Sequence, residues 1–205
     1  MSNRVLCADG SATVKSRYNK RGQEVWRRFY GEAEEPVILA DGHAGFDVVY
    51  DKNGHQRKFV FVGCDGKPIM TRQGYAIEER KYNERGLEVE RAWYDVGGKL
   101  VCVGGVAKIL KDYDKVGNLT ELAHFGADNR LVRNEDNVAI ARWTCDQFGQ
   151  VVDCHYYDQE GKPTLHRDGN ASWRNDFDAA GRIVGRKYFD VEGNEIDLNC
   201  KREKE

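Results

Sequence analysis

An aromatic residue followed by Asn or Asp and, three places later, by glycine returns along this chain at an almost fixed interval. Tyr18-Asn-Lys-Arg-Gly22, Tyr50-Asp-Lys-Asn-Gly54, Tyr82-Asn-Glu-Arg-Gly86, Tyr113-Asp-Lys-Val-Gly117 and Phe177-Asp-Ala-Ala-Gly181 carry the formula in full, and Cys145-Asp-Gln-Phe-Gly149 carries it with cysteine in first place. The starts at 18, 50, 82, 113, 145 and 177 lie 32, 32, 31, 32 and 32 residues apart. Such a period marks a repeat architecture, in which one unit cannot bury its apolar face alone and stability comes from stacked neighbours. The spacing predicts one repeat domain over 1–200. It divides into a half unit at 2–17, units at 18–49, 50–81, 82–112, 113–144 and 145–176, a last unit at 177–200, and a charged tail at 201–205.

Within a unit the residue types specify turns and strands. An Asx side chain at a turn start can bond backbone N–H groups ahead of it, and a glycine three residues later supplies the left-handed conformation that closes a hairpin with a bulge. Gly22, Gly54, Gly86, Gly117, Gly149 and Gly181 are read as turn residues, and Tyr18, Tyr50, Tyr82 and Tyr113 as packing residues beside them. A second turn follows at Tyr94-Asp-Val-Gly-Gly98, Tyr157-Asp-Gln-Glu-Gly161 and Phe189-Asp-Val-Glu-Gly193, with a variant at Val62-Gly-Cys-Asp-Gly66. Glu34 and Asn129 stand where this turn has glycine. Asn tolerates the left-handed region and Glu does not readily, so the turn over Gly31–Pro36 is expected to differ.

Counting from the opening aromatic, position 8 is mostly Val and position 12 mostly aromatic, which places both on one face of a strand between the two turns. A short apolar piece comes next, begun by Pro36, Pro68 or Pro163 in three units, and proline suits a strand start or a sheet edge. A Gly-x-Ala or Asn-x-Ala corner then leads into a second strand running back to the next opening aromatic. The alanine, Ala12, Ala44, Ala76, Ala107, Ala139 or Ala171, marks a tight spot in the packing. The fold class is therefore all-β, a tandem antiparallel β-hairpin repeat forming a solenoid, spiral or extended sheet, with no helix of any length.

Composition agrees. The chain has 22 Gly but 3 Pro, with 10 Tyr and 8 Phe, which suits many tight turns between short strands. Its 32 basic and 34 acidic residues give a net charge of -2, which points away from nucleic acid as a partner. No apolar run is long enough to span a membrane as a helix, and the N-terminus shows no secretory leader. Cys7, Cys64, Cys102, Cys145, Cys154 and Cys200 do not recur in register and include no Cys-x-x-Cys, so they read as free, mostly buried thiols, in keeping with a cytoplasmic location. His43, His55, His124, His155 and His166 never pair at metal-ligand spacing and read as surface or stray substitutions. No cofactor or metal is expected.

The turn formulas resemble bacterial tandem repeats of the tyrosine-aspartate type, in which a YDxxGN turn is followed by YFDxxGKP. Tyr50-Asp-Lys-Asn-Gly54, Tyr157-Asp-Gln-Glu-Gly-Lys-Pro163 and Phe189-Asp-Val-Glu-Gly193 carry that likeness across nearly the whole chain. RHS/YD repeats, whose strands wind into shells or spirals, are relatives in kind, and the aromatic hairpin repeats of choline-binding and cell-wall modules are more distant. The period is longer than a choline-binding unit, and that family's Gly-Trp opening is absent.

For chemistry the chain offers no Gly-x-Ser-x-Gly, no phosphate-binding glycine loop and no His-Glu-x-x-His, and it reads as non-catalytic. Cys154 and His155 are adjacent on a strand and so point to opposite faces. Most aromatics occupy fixed repeat positions and read as core. Trp26 and Trp143, at positions 9 and 31, stand on the parity opposite the presumed core face and are the candidate ligand-binding residues. The expected function is a binding or interaction module, with a carbohydrate, a cell-wall polymer or a protein surface as partner. The alternative is a structural spacer or shell segment of a larger bacterial protein.

Overall fold

The computed structural model describes residues 11–198. Among them the chain is all-β, without helix, and it gathers into two compact units, Met1–Val103 and Gly104–Glu205. The first unit holds β1 (Thr13–Tyr18), β2 (Glu24–Tyr30), β3 (Gly45–Tyr50), β4 (Gln56–Val62), β5 (Ile77–Tyr82) and β6 (Glu88–Tyr94). The second holds β7 (Lys108–Tyr113), β8 (Leu119–Phe125), β9 (Ile140–Cys145), β10 (Val151–Tyr157), β11 (Ser172–Phe177), β12 (Ile183–Phe189) and the two-residue β13 (Glu195–Ile196). Within each unit every strand pairs antiparallel with the next in chain order, so each unit is a run of consecutive hairpins.

The first turn of the repeat closes each hairpin as its residue types require. Asn83 Oδ1 accepts from the N–H groups of Arg85 at 3.0 Å and Leu87 at 3.1 Å, and Gly86 sits at φ 77°. Asn19, Asp51, Asp114, Asp146 and Asp178 do the same in their copies. Gly86 N–H bonds Asn83 O and Asn83 N–H bonds Leu87 O, each at 3.0 Å, and the hairpin slips by a further residue just beyond the turn, where Val89 has no partner between Glu88 and Glu90.

The second turn corrects one expectation. Glu34 adopts φ 64° and Asn129 φ 61°, and the Gly31-to-Glu35 turn has the same two backbone bonds as its neighbours: Gly31 N–H to Glu35 O at 2.8 Å and Glu34 N–H to Gly31 O at 3.2 Å. The flanking strands impose the turn, and a left-handed Glu costs about 1–2 kcal/mol, less than remaking a ladder.

Beyond the second turn, the proline-led pieces make one bridge each, Tyr30 with Pro36, Val62 with Pro68 and Tyr157 with Pro163, rather than full strands. The Gly-x-Ala corner is itself a third turn of the same hydrogen-bonded form. Thr71 N–H bonds Tyr75 O at 2.9 Å and Gly74 N–H bonds Thr71 O at 3.0 Å, with Gly74 at φ 89°. Third turns of successive repeats are tied to each other through Arg72 N–H to Asp41 O, 2.9 Å, and Arg167 N–H to Asp136 O, 3.0 Å.

The alanine after this turn is a junction between strands. Ala44 N–H donates to Val62 O at 2.7 Å while its carbonyl accepts from Phe29 N–H at 2.9 Å, and Ala139 links Tyr157 and His124 in the same way. Ala44, Ala76, Ala107 and Ala139 are fully buried, as the tight spot demands. The residue before each alanine is buried too, although it is chemically different every time: Ser11, His43, Tyr75, Val106, Val138 and Asn170.

Candidate functional site

Both faces of the strands are partly covered, not one. In the second unit, Ala123, Ala139 and Ile140 cluster with Phe125, Leu131 and Tyr157 on the face of positions 11 and 13. Val138, Ala141 and Cys154 cluster with Trp143, Tyr156 and Trp173 on the face of positions 10 and 12. Alternation along a strand separates the two sets.

Trp26 stands on the face opposite positions 8 and 12, as its parity predicts. There it is half-buried, with the Arg17 and Arg28 guanidinium carbons each 4.7 Å from its ring. Arg28 is fixed in turn by Arg27 O at 2.8 Å, Phe46 O at 2.9 Å and an ion pair to Asp47 at 2.9 Å. Opposite charges pair elsewhere on this face, including Lys58 with Glu79 at 2.9 Å, Lys81 with Glu90 at 2.9 Å and Arg142 with Glu121 at 2.6 Å.

Trp143 is not where parity counted along one strand put it. Across the ladder it lies directly opposite Cys154, so position 31 shares the face of positions 10 and 12. The second and third turns lie between position 12 and position 31, and parity holds only along one continuous strand.

On this face of the second unit a cleft of about 200 Å³ is lined by Leu122, His124, Asn134, Asp136, Val138, Ala141, Trp143, Tyr156 and His166. His124 is buried, and its Nδ1 lies 3.2 Å from Ala139 O, which places the proton on that nitrogen. Burial holds its pKa below the usual imidazole value. The His166 ring stacks on Tyr156 with centroids 5.0 Å apart. Its Nδ1 lies 3.1 Å from Asp168 N and 3.2 Å from Asp168 Oδ2, and its Nε2 is 3.9 Å from Asp136 Oδ2. Trp173 Nε1–H donates to Tyr156 Oη at 3.1 Å. Burial pushes both the Tyr156 phenol and the Cys154 thiol up to about 12, so both remain protonated at neutral pH. His155 is exposed on the other face, away from buried Cys154.

In the first unit the corresponding face is an aromatic line. Phe46 and Phe59 are 4.7 Å apart, Phe59 and Phe61 4.8 Å, and His43 sits 4.8 Å from Phe61 and 5.9 Å from Phe29. Glu78, the polar residue in the otherwise apolar strand pattern, is held there by Arg80 at 2.7 Å.

Two other expectations are revised. His43 and His124 are buried rather than at the surface. Cys64 and Cys102 are exposed, Cys145 is intermediate and Cys154 alone of the four described cysteines is buried; all four are free, and Cys7 and Cys200 lie outside the described residues. The bare Cys positions could not reveal this, because the short piece and the second turn face outward. Among the described residues no group of three or more His, Cys, Asp or Glu could hold a metal ion, and no helix is long and apolar enough to cross a membrane.

The first-turn residues serve a second purpose that the motif alone does not show. Tyr50 Oη donates to Glu24 O and Tyr82 Oη to Gln56 O, each at 3.0 Å, so the opening tyrosine bonds the preceding repeat. Phe177 lacks the hydroxyl, and Asn175 on the same strand face donates instead to Val151 O at 2.9 Å. Within each unit the side chain after a turn glycine reaches the next glycine: a β-carbon on Gly86 would lie 2.8 Å from His55 Nε2, and one on Gly149 would lie 3.1 Å from Asn118 Oδ1.

No protein-family profile matches the chain, and no curated protein matches it. Among solved structures it is similar to part of the TcdB2-TccC3-TEV crystal structure, with a TM-score of 0.48 and 13% identity over 88% of this chain and 9% of that one. It is similar to part of TcdB2-TccC3-Cdc42, with a TM-score of 0.43 and 14% identity over 89% of this chain and 9% of that one. It is similar, too, to part of the Photorhabdus luminescens Tc holotoxin pore, with a TM-score of 0.39 and 10% identity over 87% of this chain and 10% of that one. The chain thus spans about a tenth of the length of each of those chains.

Proposed function

We propose that this chain is a non-catalytic β-hairpin repeat module of the tyrosine-aspartate kind, which engages a protein surface through the aromatic face of its second unit. The cleft beside Trp143 carries this reading. At about 200 Å³ it falls below the roughly 300–1,000 Å³ that encloses a small-molecule ligand. It accommodates one side chain of a larger partner. Its apolar floor of Leu122, Val138 and Ala141 suits an aromatic or aliphatic group, and the Asn134 and Asp136 rim suits a donor on that group. The neutral Tyr156 and Cys154 supply no base or nucleophile at pH 7, in keeping with binding rather than catalysis.

The test is tryptophan fluorescence against a displayed peptide library and an oligosaccharide panel. Aromatic-containing peptides should give saturable changes that Trp143→Ala removes and Trp26→Ala retains, because Trp26 is engaged by Arg17 and Arg28. Saturable binding of oligosaccharides, lost in Trp26→Ala, would reverse the assignment. A second reading, a structural segment of a larger bacterial protein, is favoured by the bonds that tie repeats together within each unit. It predicts no response to either panel.

A further inference from the structure

Among the described residues, the contacts that join one hairpin to the next inside each unit are left half-made at β1 and at β12. Between hairpins the register is constant: Cys154 faces Trp173, Asp153 faces Arg174 and His155 faces Ser172, as Arg27 faces Phe46 and Trp26 faces Asp47. Phe29 N–H bonds Ala44 O and Tyr156 N–H bonds Ala171 O across that junction, so position 12 points its backbone groups toward the following hairpin. Alternation gives position 10 the same direction, which in the last hairpin is Arg186. Among the described residues β12 is paired on that side only at Tyr188 and Phe189, by β13. No described strand pairs with the outer edge of β1, where the repeat aims Val14 and Ser16 outward.

Four further observations fall on the same two edges. Val14 and Tyr18 on β1 are 45% and 60% exposed, and Ile183 and Val184 on β12 are 58% and 65% exposed; in the other described strands only Val49 is a comparably exposed large hydrophobic. Tyr18 occupies the place of Tyr50 and Tyr82, whose hydroxyls bond position 7 of the preceding hairpin, and position 7 of β12 is Ile183. A β-carbon on Gly22 would meet nothing within 4 Å, whereas Gly54, Gly86, Gly149 and Gly181 each have the preceding repeat's position-6 side chain within 3.3 Å of that point. Transferring the internal register sets Arg186 opposite Val14, Gly185 opposite Lys15, Lys187 opposite Thr13 and Ile183 opposite Arg17, with no like charges directly facing.

We propose that two copies of this chain join head to tail, the edge of β12 from Ile183 to Lys187 in one copy pairing antiparallel with β1 of the next in the register of the internal repeats. The contact covers the four exposed apolar side chains, gives Tyr18 Oη the Ile183 carbonyl and fills the space at Gly22 with Arg182. Because the interface is heterologous, each added copy presents the same two edges again, and growth continues unless a ring closes.

Sedimentation velocity on the full chain, from micromolar to hundreds of micromolar, tests this. The average mass should rise with concentration beyond that of a dimer. Val14→Pro removes an outward N–H without touching the β1–β2 ladder, and Arg186→Pro does the same on β12. With far-UV circular dichroism and melting unchanged, each variant alone should be monomeric, and a 1:1 mixture should give a dimer and stop, since one intact edge of each kind remains. Tyr18→Phe, at an exposed position, should weaken association about 2- to 10-fold. A wild-type chain that stays monomeric throughout overturns the proposal. So does growth that survives in either proline variant, or a mixture of monomeric variants that fails to dimerise.

Discussion

A turn glycine in this chain answers to two separate constraints, and substitutions can tell them apart. Gly98 sits at φ 81° with open space around it, so Gly98→Ala should cost only the left-handed strain of about 1–2 kcal/mol. Gly86 has φ 77° and the His55 imidazole 2.8 Å from where a β-carbon would stand. His55 is stacked on Tyr82 at 4.7 Å, and displacing it adds about 1 kcal/mol, so Gly86→Ala should be clearly the worse of the two in urea unfolding. Glu34→Gly should move the other way. It relieves a φ of 64° and is expected to raise stability by about 1 kcal/mol, read as a higher urea midpoint. The left-handed requirement was visible in the sequence as the recurrence of Gly, with Asn129 as a tolerated exception. The approach of His55 was not visible, because it joins residues of two repeats.

Strands and turns were legible because their residue types act locally: Asx before Gly makes the turn, and alternating Val and aromatic positions make the strand. The third turn was read only as a corner, since its first residue is Leu39, Thr71, Asn134 or His166 and the backbone bonds, not a common side chain, define it. Face assignment failed for Trp143 for a different reason: two turns separate it from the strand along which parity was counted. The junction alanines are where elements meet most tightly, and Ala139→Leu should overpack between Tyr157 and His124, costing about 1–3 kcal/mol and exposing the fold to local opening by hydrogen exchange. Thiol chemistry should report the same packing. Cys64 and Cys102 should react with a disulfide reagent at pH 8 in the folded protein, while Cys154, buried and pushed up to about 12, should react only on unfolding.

At the scale of the whole molecule, two buried imidazoles set an acid limit. Desolvation lowers the pKa of His43 and of His124 below the ordinary 6.5, and His43 Nδ1 has no hydrogen-bond partner among the described residues. The unfolded chain then binds protons more readily than the folded one. Their contribution to stability is complete above 6.5 and is lost as pH falls through the lowered folded values. The urea midpoint should drop between pH 7.5 and pH 5, and the His43→Phe, His124→Phe double variant should flatten that slope. Asp51 acts in a lower window. Burial tends to raise its carboxyl, but the His55 and Asn53 N–H bonds and the His55 ring outweigh this and bring it to about 2, so its turn should hold until pH falls well below 3.8. The amino-acid sequence alone determined the period, the turns, the strand content and the absence of helix, because each follows from residues within one unit. Tertiary structure decided which face carries the cleft, which histidines are buried and which contacts lock one repeat to the next, because those depend on side chains about 30 residues apart meeting across a ladder.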